Sequence, residues 1–420
     1  MVLTLWILVS VAVMALSAAA LAARHPVVGS GVALAALMLS MAPRTTPLPA
    51  QLNLAGQVFS VTDALAFVLL VATALRLLSA GTWPRPIFLV PLAFMLAANA
   101  ARGLAHFGAG YVLGESLPWL SWITGVAFAS TLDTTQAKQV MKTVIAVAVS
   151  LSAIASIDII LHGLTPVNMR VLVDNELADP RPIRATGAML VVEAALITTA
   201  WRSQHVWWRI SAIVLAGTAV ALQHRTIWLV LLVAGGYLIL AERGAQRATT
   251  VLRRGLTVVL FCAPILYLLG RSETLAASLE ETRAPDSTFA WRLASWRALV
   301  DQLSGVELVI GRSFGSGFER DIRGHLFIES PHSHYVEMFL RFGLVGITIL
   351  VLMILHLRQR TRISSITTAL LLAQAIYGFA YRFDLVQGLV LGLCMVATGT
   401  SESPPTIRAE SGSAKPVVFR

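Results

Sequence analysis

Apolar runs of membrane-spanning length follow one another through almost the whole chain, near 2–23, 26–43, 60–79, 86–104, 108–130, 140–161, 186–201, 207–222, 226–242, 252–270, 335–356, 364–381 and 384–400. A helix needs roughly 20 mostly apolar residues to cross a bilayer. The pattern therefore predicts an all-α polytopic integral membrane protein with about 12–13 transmembrane helices. Thirteen runs are present; those at 186–201 and 207–222 are short and the first two lie close together, so twelve spans fit nearly as well. The first run has no basic residues ahead of it and reads as a retained span rather than a cleaved signal.

One polar interval is much larger than the rest. It divides the chain into helices one to ten (1–270), a large loop (271–333), the C-terminal spans (334–400) and a Ser-, Pro- and Ala-rich tail (401–420) whose composition predicts disorder. Within the loop, Ser287 to Ser304 places Phe289, Leu293, Trp296 and Val300 on one helical face, with Ser287 positioned to cap the start. Such a helix is expected along the membrane surface or over the bundle. The Gly-rich stretch Gly311-Arg-Ser-Phe-Gly-Ser-Gly317 lacks the Lys-Ser/Thr ending of a phosphate-binding loop and reads as a turn.

Composition agrees with a bilayer protein: of 420 residues, 56% are hydrophobic and 13% charged, and the mean hydropathy is +0.75. A soluble globular domain is excluded. The net charge of +10 does not signal nucleic acid, because the basic residues stand singly between apolar runs and the large loop, with seven Arg and nine acids, is net negative. Cys262 and Cys394 both lie inside apolar runs, which leaves neither a disulfide framework nor a metal-ligand spacing.

Positive charge fixes the orientation. The short loops after spans one, three, five, seven, nine and eleven carry fourteen Arg and Lys residues against seven in the alternate loops. The first set is therefore cytoplasmic, the tail is cytoplasmic, and the large loop between the tenth and eleventh spans is extracytoplasmic. In this topology Arg184, Arg225 and His332 each stand at the outward-facing entry of an odd-numbered span, although nearly 150 positions separate the first from the last. Helix N-termini with guanidinium forks suit a phosphate or diphosphate. Interfacial anchoring to lipid phosphate is the alternative for each Arg. An imidazole at that boundary can take a proton from a sugar hydroxyl near neutral pH; His334 competes with His332 from two positions away.

The spacing at His332 carries a resemblance. His332-Ser333, nine residues and then Gly343-Leu-Val-Gly346 resembles the H-[N/S]-x9-G-x-x-G signature of the O-antigen ligase and polymerase superfamily, and His334 fails that spacing. Tyr335, the Trp291-Arg292-Leu-Ala-Ser-Trp296 segment and the Gly-rich stretch add to the match. Arg184-Ala-Thr-Gly187 resembles the family's R-x-x-G and Arg225-Thr-Ile-Trp228 its S-R-x-x-W, with His224 in place of the Ser and without the Asn-Pro that often follows R-x-x-G.

The resemblance implies an inverting, metal-independent and cofactor-free glycan transferase at the outer face of a bacterial cytoplasmic membrane. Its donor would be a polyprenyl-diphosphate-linked glycan and its acceptor another lipid-linked glycan, lipid A core or, third, a protein hydroxyl. Arg184 and Arg225 would bind the diphosphate and His332 would activate the acceptor, with His334 and Arg292 as secondary candidates. Asp174, Glu176, Asp179 and Glu193 lie near the same boundary as possible sugar ligands. The competing class is a transporter or flippase for a lipid-linked or anionic substrate, which would need polar groups near the midplane; Asp158 and Glu193 are among the few available.

Overall fold

A computed structural model describes residues 2–42, 51–54, 57–80, 88–162, 171–173, 176–178, 182–200, 206–241, 288–322, 324–360 and 365–397. The helices are α1 (Val2–Arg24), α2 (Pro26–Met41), α3 (Val61–Ala80), α4 (Leu89–His106), α5 (Ala109–Ser130), α6 (Thr134–His162), α7 (Ala185–Ala200), α8 (Val206–Ala221), α9 (Arg225–Ala241), α10 (Thr288–Val300), α11 (Val306–Ile310), α12 (His334–Arg360), α13 (Ser365–Ala380) and α14 (Leu385–Ala397). Twelve of them fall on twelve of the thirteen apolar runs. The run at 252–270, the cap at Ser287 and the tail lie outside the described residues. Among the described residues, four stretches are long and apolar enough alone to cross a membrane, Val61–Ser79, Leu89–His106, Thr134–His162 and His334–Leu355; others, such as α7 and α9, are shorter apolar helices. The fold class is thus all-α and membrane-embedded. Three short antiparallel pairs, β1–β2 (Gln51–Leu54, Gln57–Ser60), β3–β4 (Val171–Val173, Glu176–Ala178) and β5–β6 (Arg320–Ile322, His325–Phe327), connect helices.

Water does not drive helices together inside lipid, so small residues that let backbones approach do much of the work. Helices α5 and α14 show this: a side chain at Gly125 would collide with the backbone of Leu385 and Leu389, and one at Gly388 with the Trp122 carbonyl. Trp119 and Trp122 of α5 are buried nearby, Trp119 against His334 and Phe342 of α12.

Helix α12 is broken once, at Gly343, whose backbone is left-handed (φ 59°, ψ −154°). A break strands carbonyls that the next turn would have used. They are taken up from outside: the Arg312 N–H donates to the Leu340 carbonyl at 2.7 Å, and the Asn99 side-chain amide of α4 donates to the Arg341 carbonyl at 2.6 Å. The short helix α11 packs into the bend so closely that a Cβ at Gly343 would strike the Val309 carbonyl and one at Gly311 the Arg341 carbonyl.

The Gly-rich stretch is a turn, as its sequence predicts, and the anion it cradles is internal. The backbone N–H groups of Gly315 and Gly317 donate to the Glu115 carboxylate of α5 at 2.6 and 2.9 Å. Buried Arg341 of α12 completes the clamp. It pairs with Glu115 at 2.8 Å, donates to the Ser313 and Gly317 carbonyls at 2.8 and 2.9 Å, and lies over the Phe318 ring at 4.4 Å. The loop is thereby fixed to α5 and α12.

Helix α10 forms where the sequence predicts it, with part of its surface turned to the bundle. Ser295 and Leu299 are buried, Leu299 with Leu303, Phe318 and Leu340. Of the predicted apolar face, Trp296 and Val300 are half-buried, and Phe289 and Leu293 are 59% and 47% exposed. The helix lies over the α12 side of the bundle and leaves those two apolar residues on its outer surface.

Candidate functional site

The entry to α12 is built on a backbone that most residues avoid. His332 has φ 53°, a left-handed conformation that costs a non-glycine residue of order 1–3 kcal/mol and persists only when its surroundings enforce it. Here they do. On one side, the Trp296 indole N–H of α10 donates to the Pro331 carbonyl at 2.8 Å. On the other, the His334 N–H donates to the Tyr381 carbonyl at 3.3 Å, and the Ser333 hydroxyl donates to the Gly378 carbonyl at 3.4 Å. The turn throws the imidazole outward, where it is 48% exposed with Nε2 3.9 Å from the Glu329 carboxylate.

A cluster of guanidiniums surrounds it. Arg292 of α10 donates to the Ala380 carbonyl at 3.3 Å and lies 5.8 Å from the Tyr381 ring centre. Arg382, between α13 and α14, pairs at 3.2 Å with Glu337, a buried carboxylate in the first turn of α12. Arg320 of β5 is buried behind them. Partial burial lowers the His332 pKa from its ordinary value; Arg292 lowers it further, Glu329 opposes this, and Arg382 and Arg320 add to the lowering. These influences favour the neutral imidazole, the form that can accept a proton.

His334 has the opposite environment. Its ring is fully enclosed, 4.1 Å from Phe383, 4.7 Å from Trp119 and 4.9 Å from Trp122 between centres, and neither ring nitrogen has a hydrogen-bond partner among the described residues.

Arg184 and Arg225 stand at the same end of the bundle, in a group of their own. His224, buried just before Arg225, joins its Nε2 to the Ile183 carbonyl at 3.2 Å, so the entries of α7 and α9 touch. Arg184 is exposed and its N–H donates to the Met41 carbonyl at the end of α2 at 2.9 Å. Arg225 is half-buried. The link to the His332 group runs through α13, which packs against both α7 and α12 and whose Tyr377 stacks on Tyr381 at 4.9 Å, beneath Arg292. Neither Arg184 nor Arg225 is among the charges that act on His332. The sequence pattern missed Arg382 and Arg320, because nothing in the local spacing shows that the α13–α14 turn and the β5–β6 hairpin meet at α12.

The acidic candidates separate. Glu193 is not at the boundary: it is fully buried and accepts from Gln374 at 3.0 Å inside the core. Asp174 and Asp179 lie outside the described residues, and Glu176 is described only as part of β4. Beneath the aromatic cage of His334, a largely apolar cavity of about 560 Å³ runs among Trp122, Tyr237, Tyr335, Ile354, Gln374 and Phe383.

Residues 210–351 match the family model described as O-Antigen ligase. The matched segment contains Arg225, Arg292, His332 and both Gly343 and Gly346, and begins after Arg184. No curated protein matches the chain closely enough to be called a relative.

Proposed function

Because this chain carries an O-antigen ligase-type domain, of a glycan transferase family, we propose that it moves a polyprenyl-diphosphate-linked oligosaccharide or polysaccharide onto an acceptor hydroxyl at the extracytoplasmic face of a bacterial inner membrane. The observation that carries the reading is His332: an outward-facing imidazole held in a strained turn and ringed by guanidiniums that disfavour its protonation. His332 takes the acceptor O–H proton as that oxygen attacks the anomeric carbon. The bond from that carbon to the diphosphate breaks, the configuration inverts, and the lipid diphosphate leaves with the electron pair. Arginines at the boundary stabilise the departing charge. Arg184 and Arg225 fill that role, with Arg292 as a secondary contact at His332. The apolar cavity beneath the site supports a lipid-borne donor. A lipid-linked glycan is the favoured acceptor and lipid A core the second.

The test is in vitro transfer from purified polyprenyl-diphosphate glycan by the reconstituted full chain, with EDTA present to check that no metal is needed. Wild type should elongate or ligate glycan, and His332→Ala should not while remaining inserted and abundant. Normal product from the His332 variant would overturn the assignment. Vectorial movement of intact donor without any new glycosidic bond would favour a flippase instead.

A further inference from the structure

Arg320 has no direct part in the chemistry above, yet it is deeply held for a residue of an extramembrane loop: Nε and Nη1 have acceptors, and only Nη2 lacks one among the described residues. It is 1% exposed. Its Nε donates to the Ser295 hydroxyl of α10 at 2.5 Å, and Nη1 donates to the Phe318 carbonyl at 2.8 Å and the Glu329 carbonyl at 2.6 Å. The guanidinium carbon lies 5.7 Å from the centre of the Trp291 ring, which meets Phe327 of β6 edge to face at 5.4 Å. One planar fork thus reaches two strands of the site at once. Ser295 is three residues from Arg292 on the same helix, and Glu329 is three residues before His332.

We infer that Arg320 is a positioning residue, which fixes α10 against the segment 329–332 and so sets where Arg292 stands relative to His332. The inference rests on the reading of His332 as the proton-accepting group. Burial of a cation on a loop is costly unless several acceptors converge on it, and the acceptors here come from α10, the start of β5 and the approach to α12. The Glu115–Arg341 clamp holds the far end of the same segment through Gly315 and Gly317, immediately before Phe318. Lysine could keep the charge of Arg320 but could not reach Ser295 and Glu329 together, because an ammonium has no planar fork.

The groups facing His332 are Arg292 from α10, Glu329 from its own segment, Arg382 from the α13–α14 turn and Arg320 itself. If α10 loosens, water enters and Arg292 withdraws, and both changes raise the His332 pKa; loss of Glu329 would lower it, but Glu329 is the smaller influence of the two side chains. Because Arg320→Lys keeps a positive charge in place, a rise reports movement of the neighbours.

The readout is carbethoxylation of His332 by diethyl pyrocarbonate, followed peptide by peptide by mass spectrometry across pH in the purified full chain, since the reagent attacks only neutral imidazole. The half-reaction pH should rise in Arg320→Lys and, less, in Ser295→Ala, while turnover from the lipid-linked donor falls about tenfold for Arg320→Lys. In an Arg292→Gln background the Arg320→Lys shift should shrink, because coupled residues are not additive. Equal shifts in both backgrounds, or no shift in either Arg320→Lys or Ser295→Ala, would overturn the proposal. A protein merely destabilised would lose folded material without moving the half-reaction pH of what remains. Were His332→Ala to keep normal transfer while the coupling held, the transferase assignment would fall and the positioning role would stand.

Discussion

His332 and His334 are two positions apart and differ in everything that chemistry requires. One is strained, outward and flanked by charge; the other is sealed among Trp119, Trp122 and Phe383 with no polar partner among the described residues. His332→Ala should therefore remove transfer with little change in melting temperature, and His334→Ala should lower the melting temperature by opening an aromatic cage, with turnover per folded molecule less affected. Thermal unfolding beside turnover separates the two. The pH profile carries a further expectation. An imidazole whose protonation is disfavoured stays basic to lower pH, so transfer should decline only as pH falls below the ordinary histidine value of about 6.5. Arg292→Gln removes the largest charge effect and should move that decline to higher pH. The spacing to Gly343 made His332 legible in the sequence, and the Trp291-Arg292 segment made Arg292 a secondary candidate, whereas Arg320 and Arg382 come from β5 and the α13–α14 turn and could be found only in three dimensions. For Arg225 the contrast is between a diphosphate fork and a lipid anchor. Lysine would serve an anchor, but losing the charge-assisted fork costs about 1.5–3 kcal/mol, so Arg225→Lys, and Arg184→Lys likewise, should slow transfer about tenfold or more.

At the scale of elements, the bend in α12 and the loop seated in it form one unit. The apolar run at 335–356 announces a helix, and Gly343 and Gly346 within it carry no signal of a break in periodicity. The break follows from the partner: α11 needs the space of a Cβ at Gly343, while Arg312 and Asn99 satisfy the carbonyls it exposes. Gly343→Ala should cost more than the 1–3 kcal/mol of a left-handed alanine alone, because its methyl also meets the Val309 carbonyl. Glu115→Gln should likewise be severe, since it leaves buried Arg341 without its counter-charge; breaking a buried pair costs about 3–5 kcal/mol. Both are read as a fall in melting temperature of the detergent-solubilised protein. The seating of α10 has a related cause. Hydrophobicity marked Phe289 and Leu293, but what faces the bundle is chosen by the guanidinium of Arg320 reaching Ser295 and by Leu299 meeting Leu340.

For the whole molecule, all twelve apolar runs among the described residues are helices because run length and hydropathy are set by the bilayer, a property the chain has to meet locally. Which helices touch is set by small residues and buried polar pairs, and those leave no comparable trace: the α5–α14 contact depends on Gly125 and Gly388, and the joining of α7 to α9 on His224. Orientation is a third kind of property, carried by the fourteen-to-seven excess of Arg and Lys in alternate short loops. Thr135, exposed at the start of α6 near Lys138 and Lys142, belongs to the basic set, and Ser304, exposed beyond α10, belongs to the loop that holds Arg292 and His332. In a background where Cys262 and Cys394 are alanine, Ser304→Cys should react with a membrane-impermeant maleimide in intact cells and Thr135→Cys only after permeabilisation. The consequence reaches the chemistry, because Arg184, Arg225 and His332 share one end of the bundle and move together. The opposite labelling would place all three on the cytoplasmic side, and a transferase acting on exported lipid-linked glycan would no longer fit them.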